Sequence, residues 1–317
     1  MTGKSSVTRR PPVKRLLGGA VVAVLVLGLV AFFVARKEPT GVAGVVGLAP
    51  AGDQPFGASD TLDGARRGIY SDTGRLAVIG DDGLSLAVNG KFQPVTERGS
   101  NVVDAAWFRN GATLLVAEGP VSTGGLAVVD IDGKVRGTIP LEPSVGFGSG
   151  HGMTVAPGGR QAVITAVDRP VLDQEQRRLV VVDLESGATR DLTAPGGPDE
   201  FRPFYLDEEK VAFTEISADG APRALIADVT TGEVEEVAAG SSVAGTIDDE
   251  VVLLDGRRRL VRAATPERVL ATVPRGAALS AINPSGGAAV LVETVDSPDG
   301  SRFGRLRRIE LASTPAS

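Results

Sequence analysis

Short apolar segments recur along this chain after residue 65, and a polar turn precedes each of them. The apolar segments of the six successive units are 76–79, 113–117, 161–164, 211–213, 251–254 and 288–292. The intervals between Gly74 in the first turn and Gly286 in the last average about 42 residues. A repeat of this length built from strands alone is typical of a β-propeller with one four-stranded blade per repeat. The pattern predicts an all-β, six-bladed propeller over residues 65–311.

Several predicted strands are apolar on both faces, for example 179–182 and 251–254. Strands of this kind are expected where blades pack face to face and bury both sides of each sheet. In three units the third strand ends in an aspartate, a turn containing glycine follows, and a short fourth strand begins. These aspartates are Asp130, Asp183 and Asp228. The arrangement predicts a hairpin at the outer edge of each of these blades.

Together with the Pro157-Gly158-Gly159 and Asn283-Pro284-Ser285-Gly286 turns, this third-strand pattern resembles the TolB-like and WD40-like propeller repeats. The resemblance covers about residues 65–311. It implies a six-bladed propeller and a platform for binding proteins. It does not imply membership of the Tol–Pal system.

The sixth unit contains only three predicted strands, at 279–282, 288–292 and 305–311. A ring closed by hydrogen bonds between the first and last parts of the chain removes an open sheet edge. We therefore expect part of the segment 36–64, between residues 41 and 64, to add the fourth, outer strand. The rest of 36–64 is rich in Gly, Ala and Pro and is interpreted as a linker. Residues 312–317 are expected to form a tail.

The N-terminal region predicts a membrane anchor. Residues 1–15 carry five basic and no acidic side chains, and residues 16–35 form an uncharged stretch of twenty residues. That length spans a hydrocarbon core of about 30 Å as a helix, and the basic tail favours a cytoplasmic N-terminus. The alternative is a signal peptide, although a cleavable apolar region is usually shorter. We expect a single-pass protein of the cell membrane with an extracytoplasmic propeller.

The amino-acid composition limits which metal sites and ligands the chain can have. The chain has no cysteine, and His151 is its only histidine, so thiolate metal sites and sites with several histidines are excluded for this sequence. All 39 acidic residues and 28 of the basic ones follow residue 35, which gives that part a formal net charge of −11. A surface of this charge does not favour nucleic acid. No motif indicates a cofactor or a metal, and no nucleophile elbow of the Gly-x-Ser-x-Gly kind is present.

The connections between blades share one face with the connections between second and third strands, and three of the segments on this face are long: 140–152, 167–178 and 193–203. Aromatic and arginine side chains concentrate binding energy at protein interfaces, and long charged loops provide the polar rim. The predicted partner-binding residues are Phe147, His151, Asp168, Arg169, Phe201 and Arg202.

Two functions remain open from the sequence. The first is a non-enzymatic binding or scaffold module for a protein or a component of the cell envelope. The second is a metal-assisted hydrolase or lactonase with carboxylates around the central channel. The absence of a concentrated catalytic set favours the first, but residue spacing alone cannot show whether carboxylates converge on one cation.

Overall fold

The structure is a computed structural model that describes residues 61–88, 91–119, 125–141, 146–147, 152–167, 177–297 and 301–312. All of them belong to one compact unit, Val42–Ser317. No helix among these residues is long and apolar enough to cross a membrane. The predicted anchor at 16–35 lies outside the described residues, as do most of the linker and residues 313–317 of the predicted tail at 312–317.

The described strands form six antiparallel sheets, which are the six predicted blades. β1 is Thr61–Asp63. Blade one contains β2 Ala65–Tyr70, β3 Leu76–Gly80, β4 Gly83–Val88 and β5 Lys91–Pro94. Blade two contains β6 Val102–Trp107, β7 Thr113–Glu118, β8 Gly125–Asp130 and β9 Val135–Ile139. Blade three contains β10 Gly146–Phe147, β11 Met153–Val155, β12 Gln161–Val167, β13 Arg177–Asp183 and β14 Thr189–Asp191.

The remaining blades follow the same order. Blade four contains β15 Asp199–Tyr205, β16 Lys210–Ile216, β17 Pro222–Asp228 and β18 Val234–Ala239. Blade five contains β19 Ser241–Ile247, β20 Glu250–Asp255, β21 Arg259–Arg262 and β22 Thr265–Thr272. Blade six contains β23 Ala277–Ile282, β24 Ala288–Asp296 and β25 Arg302–Glu310. The fifth unit, whose repeat is the least regular in sequence, therefore still forms four strands.

Blade six takes its outer strand from the N-terminal side of the propeller. β1 pairs with β25 from Thr61 opposite Arg307 to Asp63 opposite Arg305, and the guanidinium of Arg305 donates to the Asp63 carboxylate at 2.5 Å. On the inner side of the ring, Ser280 accepts a hydrogen bond from the backbone N–H of Gly68 at 2.7 Å. Blades one and six are thus joined at both their outer and inner edges.

The core consists of six apolar clusters, one between each pair of neighbouring blades. Leu114 and Val116 of β7 face blade one, whereas Leu115 and Ala117 of the same strand face blade three. All four are fully buried. Blade stacking therefore explains why the second and third strands are apolar on both faces.

The strand-ending aspartates form tight turns at the outer hairpins. Asp183 accepts hydrogen bonds from the backbone N–H groups of Glu185 and Ser186, and Asp228 accepts them from Thr230 and Thr231. Hydrogen bonds donated by the Ser186 hydroxyl and backbone N–H hold the pKa of Asp183 below its usual value. Charged carboxylates that accept such bonds stabilise the turn, so these aspartates have a structural role.

Candidate functional site

Two faces of the propeller are distinguished by their connections. The connection face carries the links between blades and those between second and third strands, and every inner strand begins there. The turn face carries the remaining turns. The central channel runs between the two faces and is lined by the inner strands β2, β6, β11, β15, β19 and β23.

On the connection face, the beginnings of β13 and β15 lie next to each other. The Arg177 side chain donates to the Asp199 carboxylate, with Nε 2.6 Å from Oδ1, and the Arg177 backbone N–H donates to the same oxygen at 3.2 Å. The guanidinium carbon of Arg177 lies 4.6 Å from the centre of the Phe201 ring. This distance is that of a cation–π contact. Arg177, at the described end of the segment 167–178, and Phe201, in the segment 193–203, are therefore neighbours in space.

The structure separates the predicted partner-binding residues. Phe201 lies at the connection face and is partly exposed. Phe147 is only 3 % exposed and packs in the core between blades two and three. Arg202 lies in the wall of the central channel. His151, Asp168 and Arg169 lie outside the described residues, so their part of the predicted face stays a prediction.

Glu200 lies beside the contact of Arg177 with Phe201, and no sequence pattern identified it as a functional residue. Its side chain is 5 % exposed and accepts a hydrogen bond from the Thr193 hydroxyl. Burial raises the pKa of Glu200 to about 7, and the nearby charges of Glu215 and Asp199 act in the same direction. The chain therefore contains a buried carboxyl group that titrates near neutral pH, a property that depends on tertiary packing and has no sequence signature.

We expect Glu200→Gln to change how stability depends on pH. The folded state holds the Glu200 proton up to about pH 7, whereas the unfolded chain releases it near 4.5. The contribution of Glu200 to stability is therefore lost as pH rises from about 4.5 to about 7. Glutamine cannot ionise, so above pH 7.5 the variant should be more stable than the natural chain by ~2–3 kcal/mol. Melting temperatures measured between pH 4.5 and 8.5 test this.

Glu215→Gln is the matched control. Glu215 is also buried, but its carboxylate accepts a hydrogen bond from Arg223 Nε at 2.9 Å. Replacing Glu215 removes half of this ion pair and should lower the melting temperature throughout the pH range. If the melting temperatures of the natural chain and of Glu200→Gln changed with pH in the same way, the role assigned to Glu200 would be contradicted.

In five blades the inner strand contains a β-bulge near its beginning. The register shifts between Ala65 and Arg67, Val102 and Asp104, Phe201 and Phe204, Val243 and Gly245, and Leu279 and Ala281. In blade three the inner edge is divided between β10 and β11. A bulge turns a side chain away from the regular alternation of the strand. The bulged residues Arg66, Val103, Arg202, Ala244 and Ser280 line one cavity of about 190 Å³, which we call the basic cavity.

Arg67, which lines the basic cavity, belongs to a buried ion pair. Arg67 donates to Asp104 Oδ1 at 2.6 Å, and the Asp104 side chain is almost fully buried. The other oxygen, Oδ2, accepts the backbone N–H of Gly152 at 2.8 Å, and Oδ1 also accepts the N–H of Ala105 at 2.8 Å. Asp104 thereby joins blades one, two and three.

At the turn face the channel opens into a second cavity of about 310 Å³, the turn-face cavity, which shares Arg67, Phe204 and Ser280 with the basic cavity. Arg109 lies 3.5 Å from the Asp72 carboxylate and 3.4 Å from that of Asp249. Burial raises the pKa of Asp72. Within the described part of the chain, no group of three or more His, Cys, Asp or Glu side chains is arranged to hold a metal ion.

Neither a scan against protein-family models nor a search of curated proteins finds a match. Similar solved structures include TolB from Acinetobacter baumannii, with 17% identity, a TM-score of 0.44 and coverage of 77% of this chain and 54% of that one. This chain thus spans about half the length of that protein. A putative TolB from Agrobacterium tumefaciens has 13% identity, a TM-score of 0.46 and coverage of 69% of this chain and 94% of that one.

A puromycin-hydrolysing peptidase from Mycobacterium tuberculosis is also similar, with 16% identity, a TM-score of 0.49 and coverage of 80% of this chain and 44% of that one. Likenesses of this size concern the fold alone. The six-bladed arrangement is the one that the resemblance of the repeats to TolB-like propellers implies.

Proposed function

We propose that this chain is a membrane-anchored, extracytoplasmic propeller that binds a protein or a component of the cell envelope through its connection face. The anchor is the uncharged stretch at 16–35, with the N-terminus in the cytoplasm. The proposal rests mainly on one observation, the cation–π contact of Phe201 with Arg177, whose guanidinium is paired with Asp199. It joins a partly exposed aromatic ring to an arginine at the beginnings of two neighbouring strands.

This contact has the physical properties of an interface hot spot. Asp199 holds the Arg177 guanidinium in place, and the guanidinium lies over the Phe201 ring. Both side chains therefore lose little conformational freedom when a partner binds. Phenylalanine and arginine bury large areas, and the arginine keeps its polar partner during binding.

The alternative function, a metal-assisted hydrolase or lactonase, would depend on the carboxylates at the turn-face cavity. These carboxylates are engaged by arginines. Asp72 and Asp249 both lie within ion-pair distance of Arg109, and Asp248 lies 3.3 Å from Arg262. A divalent cation would have to displace these guanidinium groups, so the arrangement favours the binding role.

Phe201→Ala should weaken partner capture by at least about tenfold, because a hot-spot truncation commonly costs 2 kcal/mol or more. The full-length chain with a photo-crosslinking amino acid at position 201 first identifies the partner in cells that naturally contain the protein. Capture of that partner by Phe201→Ala is then compared with capture by the natural chain. We expect the variant to fold normally, since Phe201 is only partly buried.

The matched control is Phe92, a 38 % exposed phenylalanine on the outer strand β5 of blade one. A crosslinker at position 92 should give no adduct with the same partner, and Phe92→Ala should capture it normally. Equal capture by Phe201→Ala would contradict the proposed face. A stoichiometric divalent metal in the purified chain, lost when Asp72 and Asp249 are replaced by Asn, would support the hydrolase instead.

A further inference from the structure

Arg202 has an unusual backbone conformation for a large side chain. Its φ is 56°, in the left-handed region, and it lies in the bulge of β15 where pairing with β16 is interrupted. The bulge packs closely on Gly152. A Cβ atom at that glycine would lie only 2.9 Å from the Arg202 Cα. Non-glycine residues rarely adopt this conformation unless the surroundings impose it, and such positions concentrate at functional sites.

The Arg202 guanidinium lacks a counterion in the described part of the protein. Its hydrogen bond there is a long one of 3.4 Å to the carbonyl of Leu279, and no carboxylate of the described residues lies within 4 Å. The Asp104 carboxylate is already engaged by Arg67 and by two backbone N–H groups. Of the three arginines that line the cavity, Arg66 lies 3.7 Å from the Asp81 carboxylate and Arg67 pairs with Asp104, so Arg202 leaves one uncompensated positive charge in the wall.

Two physical effects indicate that this charge is not well stabilised in the free protein. Burial, together with the positive charge of Arg67, lowers the pKa of Arg202 to about 10. Like charges at close range disfavour each other, and a desolvated cation is costly unless it is paired. An anion between the two guanidinium groups would remove both penalties.

We propose that the basic cavity binds an oxyanion, the carboxylate or phosphate group of a ligand, with Arg202 as its principal contact and Arg67 beside it. The planar guanidinium donates two parallel hydrogen bonds to such a group. The bulges of five blades form the cavity walls, so the site depends on the closed ring rather than on one blade. This site lies in the channel and not at the contact of Phe201 with Arg177, and the proposal does not depend on the partner-binding role.

The test uses the full-length chain with acetate, inorganic phosphate and chloride at matched ionic strength. Trp107, the only tryptophan, lines the adjoining turn-face cavity and serves as a fluorescence reporter. Calorimetry gives the affinity independently. We expect saturable binding of acetate or phosphate and none of chloride. Saturation by acetate alone assigns a carboxylate ligand, and saturation by phosphate alone assigns a phosphate group.

Arg202→Gly should reduce the affinity at least tenfold and raise the melting temperature of the unliganded chain. Glycine adopts a φ of 56° without strain, and the unpaired charge is removed. Arg202→Asn tests the same contact if the glycine variant does not fold, because asparagine also tolerates this conformation.

Arg258→Gly is the matched control. Arg258 also has a left-handed φ, 64°, but its guanidinium donates to the carbonyls of Val273, Pro274 and Ala277. This variant should lose stability and bind the anion with unchanged affinity. Binding that is the same for chloride as for the oxyanions, or that persists in Arg202→Gly, would overturn the proposal.

Discussion

Gly304→Ala should lower the free energy of unfolding by about 3 kcal/mol, an effect of the size expected for overpacking at a site that cannot relax. Gly304 lies in β25. Next to it, the chain passes from β1 in blade six to β2 in blade one. A Cβ atom there would lie 1.9 Å from the carbonyl oxygen of Ala65. The clash is with backbone, so no side-chain rotation relieves it, and the crossing segment would have to move away from β25.

Gly125→Ala provides the comparison. Gly125 also lies in a strand, β8, but a Cβ atom there would meet nothing nearer than the Ile139 carbonyl oxygen at 3.5 Å. This substitution should be neutral or slightly stabilising, because alanine has fewer unfolded conformations than glycine. Urea denaturation of both variants measures the difference. Equal stability of the two would show that the crossing segment is not confined by Gly304.

The repeat in the sequence predicts the architecture because each unit cannot bury its apolar strands alone. Every blade needs a neighbour on both sides, so the number of repeats becomes the number of blades once the ring closes. The same reasoning predicts an outer strand from the segment 41–64, and Thr61–Asp63 lies at that position in the structure. The exact bounds of strands differ; β24, for example, extends to Asp296 instead of ending near residue 292.

The side chains that line the central channel could not be predicted from the repeat. The bulged residues are of unrelated types, such as Arg66, Val103 and Ala244, and the register shift is a property of backbone pairing. Arg202 was interpreted as a loop residue because it falls in the long connecting segment 193–203. In the structure it lies inside β15, and the bulge directs it to the channel.

Phe147 shows a second limit of sequence reasoning. Its glycine-rich surroundings indicate a loop, and an aromatic residue in a loop suggests a contact for a partner. In the structure Gly146 and Phe147 form β10, which pairs with the end of β12 and buries the ring against blade two. Truncating Phe147 would therefore damage the core, and Phe201 is the better probe of the connection face.

Asp104→Asn should destabilise the protein by about 3 kcal/mol, because it leaves the Arg67 guanidinium without its carboxylate in a buried site that also contains the positive charge of Arg202. Asparagine has the shape of aspartate but not its two acceptors. One oxygen of Asp104 accepts from Arg67 and Ala105, and the other accepts from Gly152. Whichever way the amide is oriented, its NH₂ group faces another donor, so at least one buried N–H loses its partner.

The same substitution in an Arg202→Gly background separates charge from hydrogen bonding. If the loss comes partly from uncompensated positive charge, removal of Arg202 should make Asp104→Asn less costly, with a coupling of about 1 kcal/mol in urea denaturation. Asp82→Asn serves as the reference, since Asp82 pairs with Arg98 at 3.2 Å on the exposed surface and should change stability by less than about 0.5 kcal/mol. Additive effects of Asp104→Asn and Arg202→Gly would mean that the two groups do not share one electrostatic environment. The coupling therefore tests directly whether the basic cavity carries an excess charge that an anion would balance.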